Sequence, residues 1–152
     1  MLIRLFTSAL FLLLCANTFA QTEDQSISIS YIIIGESKSY DSALRKAQKA
    51  SNKLVIPLNL RNYYGDKENG LKTSEICECG ENHGYIARGR YDHGTYISIE
   101  HSKGFNSFEK NTYLIIIASG SEADVHPQLN KTLLIYNKAY IFQENVYMGC
   151  MH

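Results

Sequence analysis

Cysteine and histidine gather in one short stretch, Cys77-Glu-Cys79-Gly-Glu-Asn-His83, followed by His93 and, at the end of the chain, Cys150-Met-His152. A structural zinc site wants four sulfur or imidazole ligands held by tight turns, and Gly80 and Gly84 would let this loop bend around an ion. Cys77, Cys79, His83 and His93 are therefore the candidate metal set, although one residue between the cysteines is not the familiar two-residue spacing. Oxidation is the competing chemistry. If Cys15 leaves with an N-terminal leader, Cys77, Cys79 and Cys150 remain, and one disulfide with one free thiol is the simplest arrangement in an exported chain. Cys150 paired with Cys77 or Cys79 is the favoured bridge, because a direct Cys77 to Cys79 bond would be strained. The sequence favours no cofactor, with zinc as the alternative.

Catalysis has weaker support. Cys79 with His83 or His93 could supply a thiol and a base, but no third group orients them, and a triad is recognised by arrangement and not by composition. Asp66 with Glu68, or Glu75 with Glu78 and Glu81, could flank a sugar bond; they read more simply as loop charges. Asp66-Lys-Glu-Asn-Gly70 fails as a calcium loop, because its glycine falls one position early and the alternation of ligands breaks. No residue is assigned a catalytic role, and a non-enzyme is the favoured class.

A binding surface is better supported. In Tyr96-Ile-Ser-Ile-Glu100 the polar residues alternate with isoleucine, so one side of a strand is expected wet and the other buried. Arg61, Tyr63, Tyr64, Arg88 and Arg90 flank that strand in sequence and offer aromatic platforms and forked donors suited to a sugar chain or a carboxylated peptide. With Tyr96 and Ser98 they make the candidate ligand-binding set. The expected partner is a glycan or an extracytoplasmic protein.

These residues follow a segment with the three-part pattern of a secretory signal: Arg4, an apolar run from Ala9 to Ala16, and small residues at Thr18 and Ala20. Cleavage after Ala20 would give one domain, 21–152, in the periplasm or outside the cell. Lipid attachment at Cys15 is the less favoured alternative, since Leu14 stands where a small residue is usual. The apolar run is too short for a transmembrane span, and no later stretch is longer. Lys and Arg number 15 and Asp and Glu 15, so no strong field collects nucleic acid. Arg45, Lys46, Lys49 and Lys53 read as the solvated face of a helix. Tryptophan is absent against 11 tyrosines, a composition that suits strand surfaces. Asn130-Lys-Thr132 fits a glycosylation acceptor, with meaning only in a eukaryotic secretory pathway.

The elements that must position the candidates follow from periodicity. Ser26-Ile-Ser-Ile-Ser-Tyr-Ile-Ile-Ile-Gly35 alternates and then becomes continuously β-branched, as a strand entering a covered sheet does. Ser39 or Asp41 can cap a helix in which Tyr40, Ala43, Leu44, Ala47, Ala50 and Leu54 recur at helical spacing. Leu54-Val-Ile-Pro-Leu-Asn-Leu60 reads as a second strand, at an edge or bulge because Pro57 cannot donate. Residues 61–94, rich in glycine, read as a long insertion. Strands at 96–100 and 112–119 follow, then a helix starting near Pro127 and carrying Leu129, Leu133 and Tyr136. Ala139 to Phe142 makes a last short strand, with a continuation through Val146 and Tyr147 open to it after a turn expected at Glu144-Asn145.

Tyr31-Ile-Ile-Ile34 and Tyr113-Leu-Ile-Ile116 look alike, and each precedes a polar turn, a helix and a strand. Two such halves in one layer predict an α+β fold: a ferredoxin-like sheet of four or five mainly antiparallel strands, two helices on one face, and the insertion 61–94. Tyr31-Ile-Ile-Ile-Gly35 with the Ala43 to Ala50 helix, and Tyr113-Leu-Ile-Ile-Ile-Ala-Ser-Gly120 before the second helix, are similar to the strand-Gly-turn-helix opening of the SPOR (sporulation-related repeat) domain. That resemblance implies an extracytoplasmic peptidoglycan-binding module with two pseudo-symmetric halves. The insertion has no counterpart in the compact family pattern, and no binding residue is carried over. The favoured function is an exported, non-catalytic binding module for cell-wall glycan. The alternatives are a secreted inhibitor or immunity protein that blocks an enzyme through the 61–94 loop, and a zinc- or thiol-dependent envelope protein.

Overall fold

The computed structural model describes residues 25–74 and 84–149. The expected leader, with Cys15, and Cys77, Cys79, His83 and Cys150 lie outside the described residues, and with them the expected disulfide and three of the four candidate zinc ligands. Eight elements are set out in chain order: β1 (Ser26–Ser37), α1 (Tyr40–Leu54), β2 (Tyr63–Asp66), β3 (Gly70–Thr73), β4 (Gly94–His101), β5 (Tyr113–Gly120), α2 (Glu122–Leu133) and β6 (Tyr140–Tyr147).

The main sheet runs β4-β5-β1-β6, antiparallel throughout, which is the strand order of the ferredoxin-like arrangement expected from the doubled pattern. The two isoleucine-rich runs are its central neighbours, with Tyr31 opposite Ser119 and Ile33 opposite Ile116. Alternation along β5 divides the interior. Ile115 and Ile117 join Ile32, Ile97, Ala43, Ala47, Ala50 and Val125 in the core beneath both helices. Leu114 and Ile116 join Ile29, Tyr31, Ile33 and Phe105 in a second core on the opposite face, with Phe142 and Val146 packed against it. Each fully buried isoleucine contributes about 1.5–3 kcal/mol of hydrophobic stabilisation, so the sheet is held from both sides.

Helix α1 starts where Ser39 accepts a hydrogen bond from the Ser42 amide at 3.3 Å. Its alanines at 43, 47 and 50 let its backbone lie close to the sheet. Leu54 ends this helix, so the second strand expected at 54–60 does not form. Only Leu58 bridges β4, at Ile97, with Ile97 N donating to Pro57 O and Asn59 N to Ile97 O, each at 2.8 Å. Pro57 lacks an N–H and so serves this contact only as an acceptor, which limits pairing to one bridge. The insertion contains its own hairpin, β2 with β3. Helix α2 begins before Pro127: Ser121 accepts from the Asp124 amide at 3.3 Å and caps it, leaving Pro127 inside. Strand β6 passes through Glu144 and Asn145 without the expected turn, paired with β1 along its length. Among the described residues no helix is long and apolar enough to cross a membrane.

Candidate functional site

The face of β4 expected to be wet is covered. Residues 84–92 lie across it as a strap, and Ser98 and Glu100 are fully buried. Tyr31 Oη donates to the Arg88 carbonyl at 2.8 Å, fixing the strap over the second core. Gly89 makes this close passage possible: its φ is +100°, and a Cβ there would strike the Tyr31 hydroxyl.

Five of the seven candidate residues meet in one network beneath and beside the strap. Arg61 Nη1 donates to both Glu100 oxygens at 3.0 and 3.1 Å, its Nε reaches Asp92 Oδ2 at 2.7 Å, and its Nη2 donates to Ile86 O at 3.1 Å. Glu100 Oε2 also accepts from Tyr85 Oη at 2.7 Å and from the Arg88 amide at 3.2 Å. Tyr96 Oη donates to Asp92 Oδ2 at 2.6 Å, and Tyr63 Oη accepts from Ile86 N at 3.3 Å. Arg88, with no exposed surface, spends its guanidinium on Ser119 Oγ at 2.9 Å, Tyr96 O at 2.7 Å, Ser98 Oγ at 3.2 Å and Gly94 O at 2.6 Å, and lies 3.5 Å over the Tyr96 ring centroid.

Two arginines a few ångströms apart thus live in different fields. Burial alone would lower the pKa of Arg61, but Glu100 and Asp92 outweigh it and the net shift is upward. Arg88 faces carbonyls, hydroxyls and a ring, so burial dominates and its pKa falls. Burial first, then the Glu100 charge, pushes the Tyr85 hydroxyl well up, and burial with the hydrogen bond to Asp92 raises that of Tyr96. Both phenols remain protonated donors to carboxylates.

Beside this network a cleft of about 310 Å³ opens on the same sheet face, between the strap, the turn at 104–106 and β6. Arg90 lines it, 7 % exposed, its Nη2 donating to the Gly149 carbonyl and its Nε closed to solvent with no partner. Across the cleft Glu144 Oε1 accepts from the Asn106 backbone amide at 2.9 Å and from its side-chain amide, while Oε2 is buried and unpartnered. Tyr91 and Tyr147 place their ring centroids 5.1 and 5.8 Å from the Arg90 guanidinium carbon. Both tyrosines are largely exposed, at 72 % and 51 %. Tyr64 stands exposed on the hairpin and does not line this cleft.

Sequence reasoning missed Glu144, Asn106 and Tyr147 of this cleft, and Tyr91 beside Arg90. The available signal was Phe142-x-Glu144-x-Val146, an acid at the centre of an inward-facing alternation, which the expected turn concealed. A larger cleft of about 440 Å³ lies at the start of α1. Its polar groups answer one another: Lys38 pairs with Glu109 at 2.8 Å, Asp66 caps its own turn through the Glu68 and Asn69 amides, and Tyr113 Oη donates to Gly70 O at 3.0 Å. Burial lowers the pKa of His101 there, with Lys103 adding to the effect. His93 lines a third cleft, of about 430 Å³, with Ser119, Ser121 and Asp124. Among the described residues no group of three or more His, Cys, Asp or Glu could hold a metal ion. Comparison with protein-family models, curated proteins and solved structures finds no match to this chain.

Proposed function

We propose that this protein is an exported, non-catalytic binding module whose ligand, a cell-wall glycan, lies on the sheet face opposite the helices. The observation that carries this reading is the cleft lined by Arg90, whose buried Nε–H has no partner, and by the exposed Tyr147 ring, with the exposed Tyr91 ring 5.1 Å from the same guanidinium. Aromatic rings with polar tips and a forked donor suit a polymer of hydroxylated rings, which offers apolar faces and many acceptors. The leader-like segment at 1–20 and the resemblance of the doubled halves to SPOR modules support the compartment and the polymer. The non-catalytic reading rests on the charged groups nearby: Arg61, Asp92 and Glu100 are tied to one another, as a scaffold is, and not poised to pass a proton.

Cosedimentation with purified peptidoglycan tests the proposal. Retention at low salt is expected, reduced about tenfold or more by Arg90→Ala, the effect of losing one charge-assisted contact. No retention of the unsubstituted protein removes the glycan reading. Co-purification with another protein at fixed stoichiometry would instead favour the inhibitor reading.

A further inference from the structure

The unpartnered atoms of the cleft describe what the ligand must offer. A buried polar atom without a partner is costly, and a ligand that supplies the partner recovers that cost on binding. Here one donor and one acceptor are left over on different walls: Arg90 Nε–H on the strap and Glu144 Oε2 on β6. A secondary amide is planar and trans, so its C=O and its N–H emerge from opposite edges, matching a donor on one wall and an acceptor on the other. Ala87, Phe105 and Val146 give the same cleft an apolar lining, room for a methyl group.

We propose that the cleft reads the acetamido group of an N-acetylated amino sugar, its carbonyl oxygen accepting from Arg90 Nε–H and its N–H donating to Glu144 Oε2. The proposal rests on the glycan reading above and sharpens it. The methyl group lies on the apolar lining, and the sugar ring lies against Tyr147. Both polar atoms are closed to solvent in the free protein, so a side chain lining the cleft must turn aside as the ligand enters; Tyr147 lines it with half of its surface exposed, and exposed side chains reorient readily. An unsubstituted amine offers no acceptor to Arg90, and a hydroxyl in the same place offers no methyl and a different geometry.

The test compares three β-1,4-linked tetrasaccharides by titration calorimetry and saturation-transfer NMR: N-acetylglucosamine, glucosamine and glucose. Peptidoglycan before and after chemical N-deacetylation is compared in parallel. The acetylated tetramer is expected to bind about tenfold or more tightly than either comparator, with the strongest saturation transfer at the acetyl methyl. Arg90→Ala and the near-isosteric Glu144→Gln should each remove that preference, with circular dichroism confirming the fold, while Arg45→Ala on the far helix should leave it intact. Equal binding of acetylated and deacetylated polymer overturns the acetamido assignment and leaves the glycan reading standing. No binding to any saccharide or to peptidoglycan overturns both. Binding of an acetylated alanine tripeptide in place of the sugars overturns the assignment in favour of a peptide ligand.

Discussion

At the scale of single residues, side-chain type proved a better guide than side-chain direction. Arg61, Tyr63 and Arg88, expected as fork donors and platforms, do gather with Tyr96 and Ser98 of the strand face expected wet, but they face one another beneath and within the strap. Glu100 is the keystone, because four separate groups place hydrogens on its carboxylate region or lose alignment without it: Arg61, Tyr85, the Arg88 amide and, through Tyr85, the His101 amide at 3.0 Å. Removing one partner of a buried pair leaves the other charge uncompensated, which costs about 3–5 kcal/mol. Glu100→Ala should therefore lose that much stability in urea denaturation, and a loss below about 1 kcal/mol would show that Asp92 alone suffices for Arg61. The inward turn of this network was not legible in the sequence for a definite reason. Alternation assigns Ser98 and Glu100 to one face of a strand; it carries no information on whether a distant glycine-rich segment lies across that face.

At the scale of elements, the sequence was most legible where several local signals agreed. β1, α1 and β5 each have periodicity, capping or β-branched runs that point the same way, and each was placed within a few residues. The failures lie where one strong residue was weighed against context. Pro57 and its neighbours looked like a strand because they are apolar, yet the helix runs on to Leu54 and Val55 closes it in a left-handed conformation at φ 55°. Pro127 looked like a first-turn residue, yet Ser121-Glu-Ala-Asp124 is a capping sequence and wins the N-terminus. That outcome leaves a testable defect. At the sixth helical position Pro127 cannot donate to the Ala123 carbonyl, and an interior proline costs up to about 3 kcal/mol. Pro127→Ala should accordingly raise stability by about 1–3 kcal/mol, read as a higher urea midpoint at unchanged slope. A lower midpoint would mean that the ring itself packs favourably where the missing hydrogen bond does not matter.

At the scale of the whole molecule, the sheet is roofed by helices on one side and by the strap with its aromatic cluster on the other, and the arginines nearest the strap are consumed inside. Formal charge over the chain sums to zero. A molecule built this way has little long-range field with which to gather a charged polymer, so the proposed glycan binding relies on short contacts in the cleft. An exposed concentration of basic side chains lies elsewhere, at Arg45, Lys46, Lys49 and Lys53 on α1, which packs on the opposite face of the sheet. These two modes of attachment separate by ionic strength, because the Debye length falls from about 30 Å at 0.01 M to about 8 Å at 0.15 M, and exposed charges are screened far more than groups enclosed by a cleft. Retention on purified peptidoglycan should therefore change little between those two salt concentrations and fall about tenfold or more with Arg90→Ala at both. Retention that vanishes at 0.15 M, and that a fourfold alanine substitution of the α1 basic residues abolishes at 0.01 M, would move the contact to the helical face and leave the cleft without a role in wall binding.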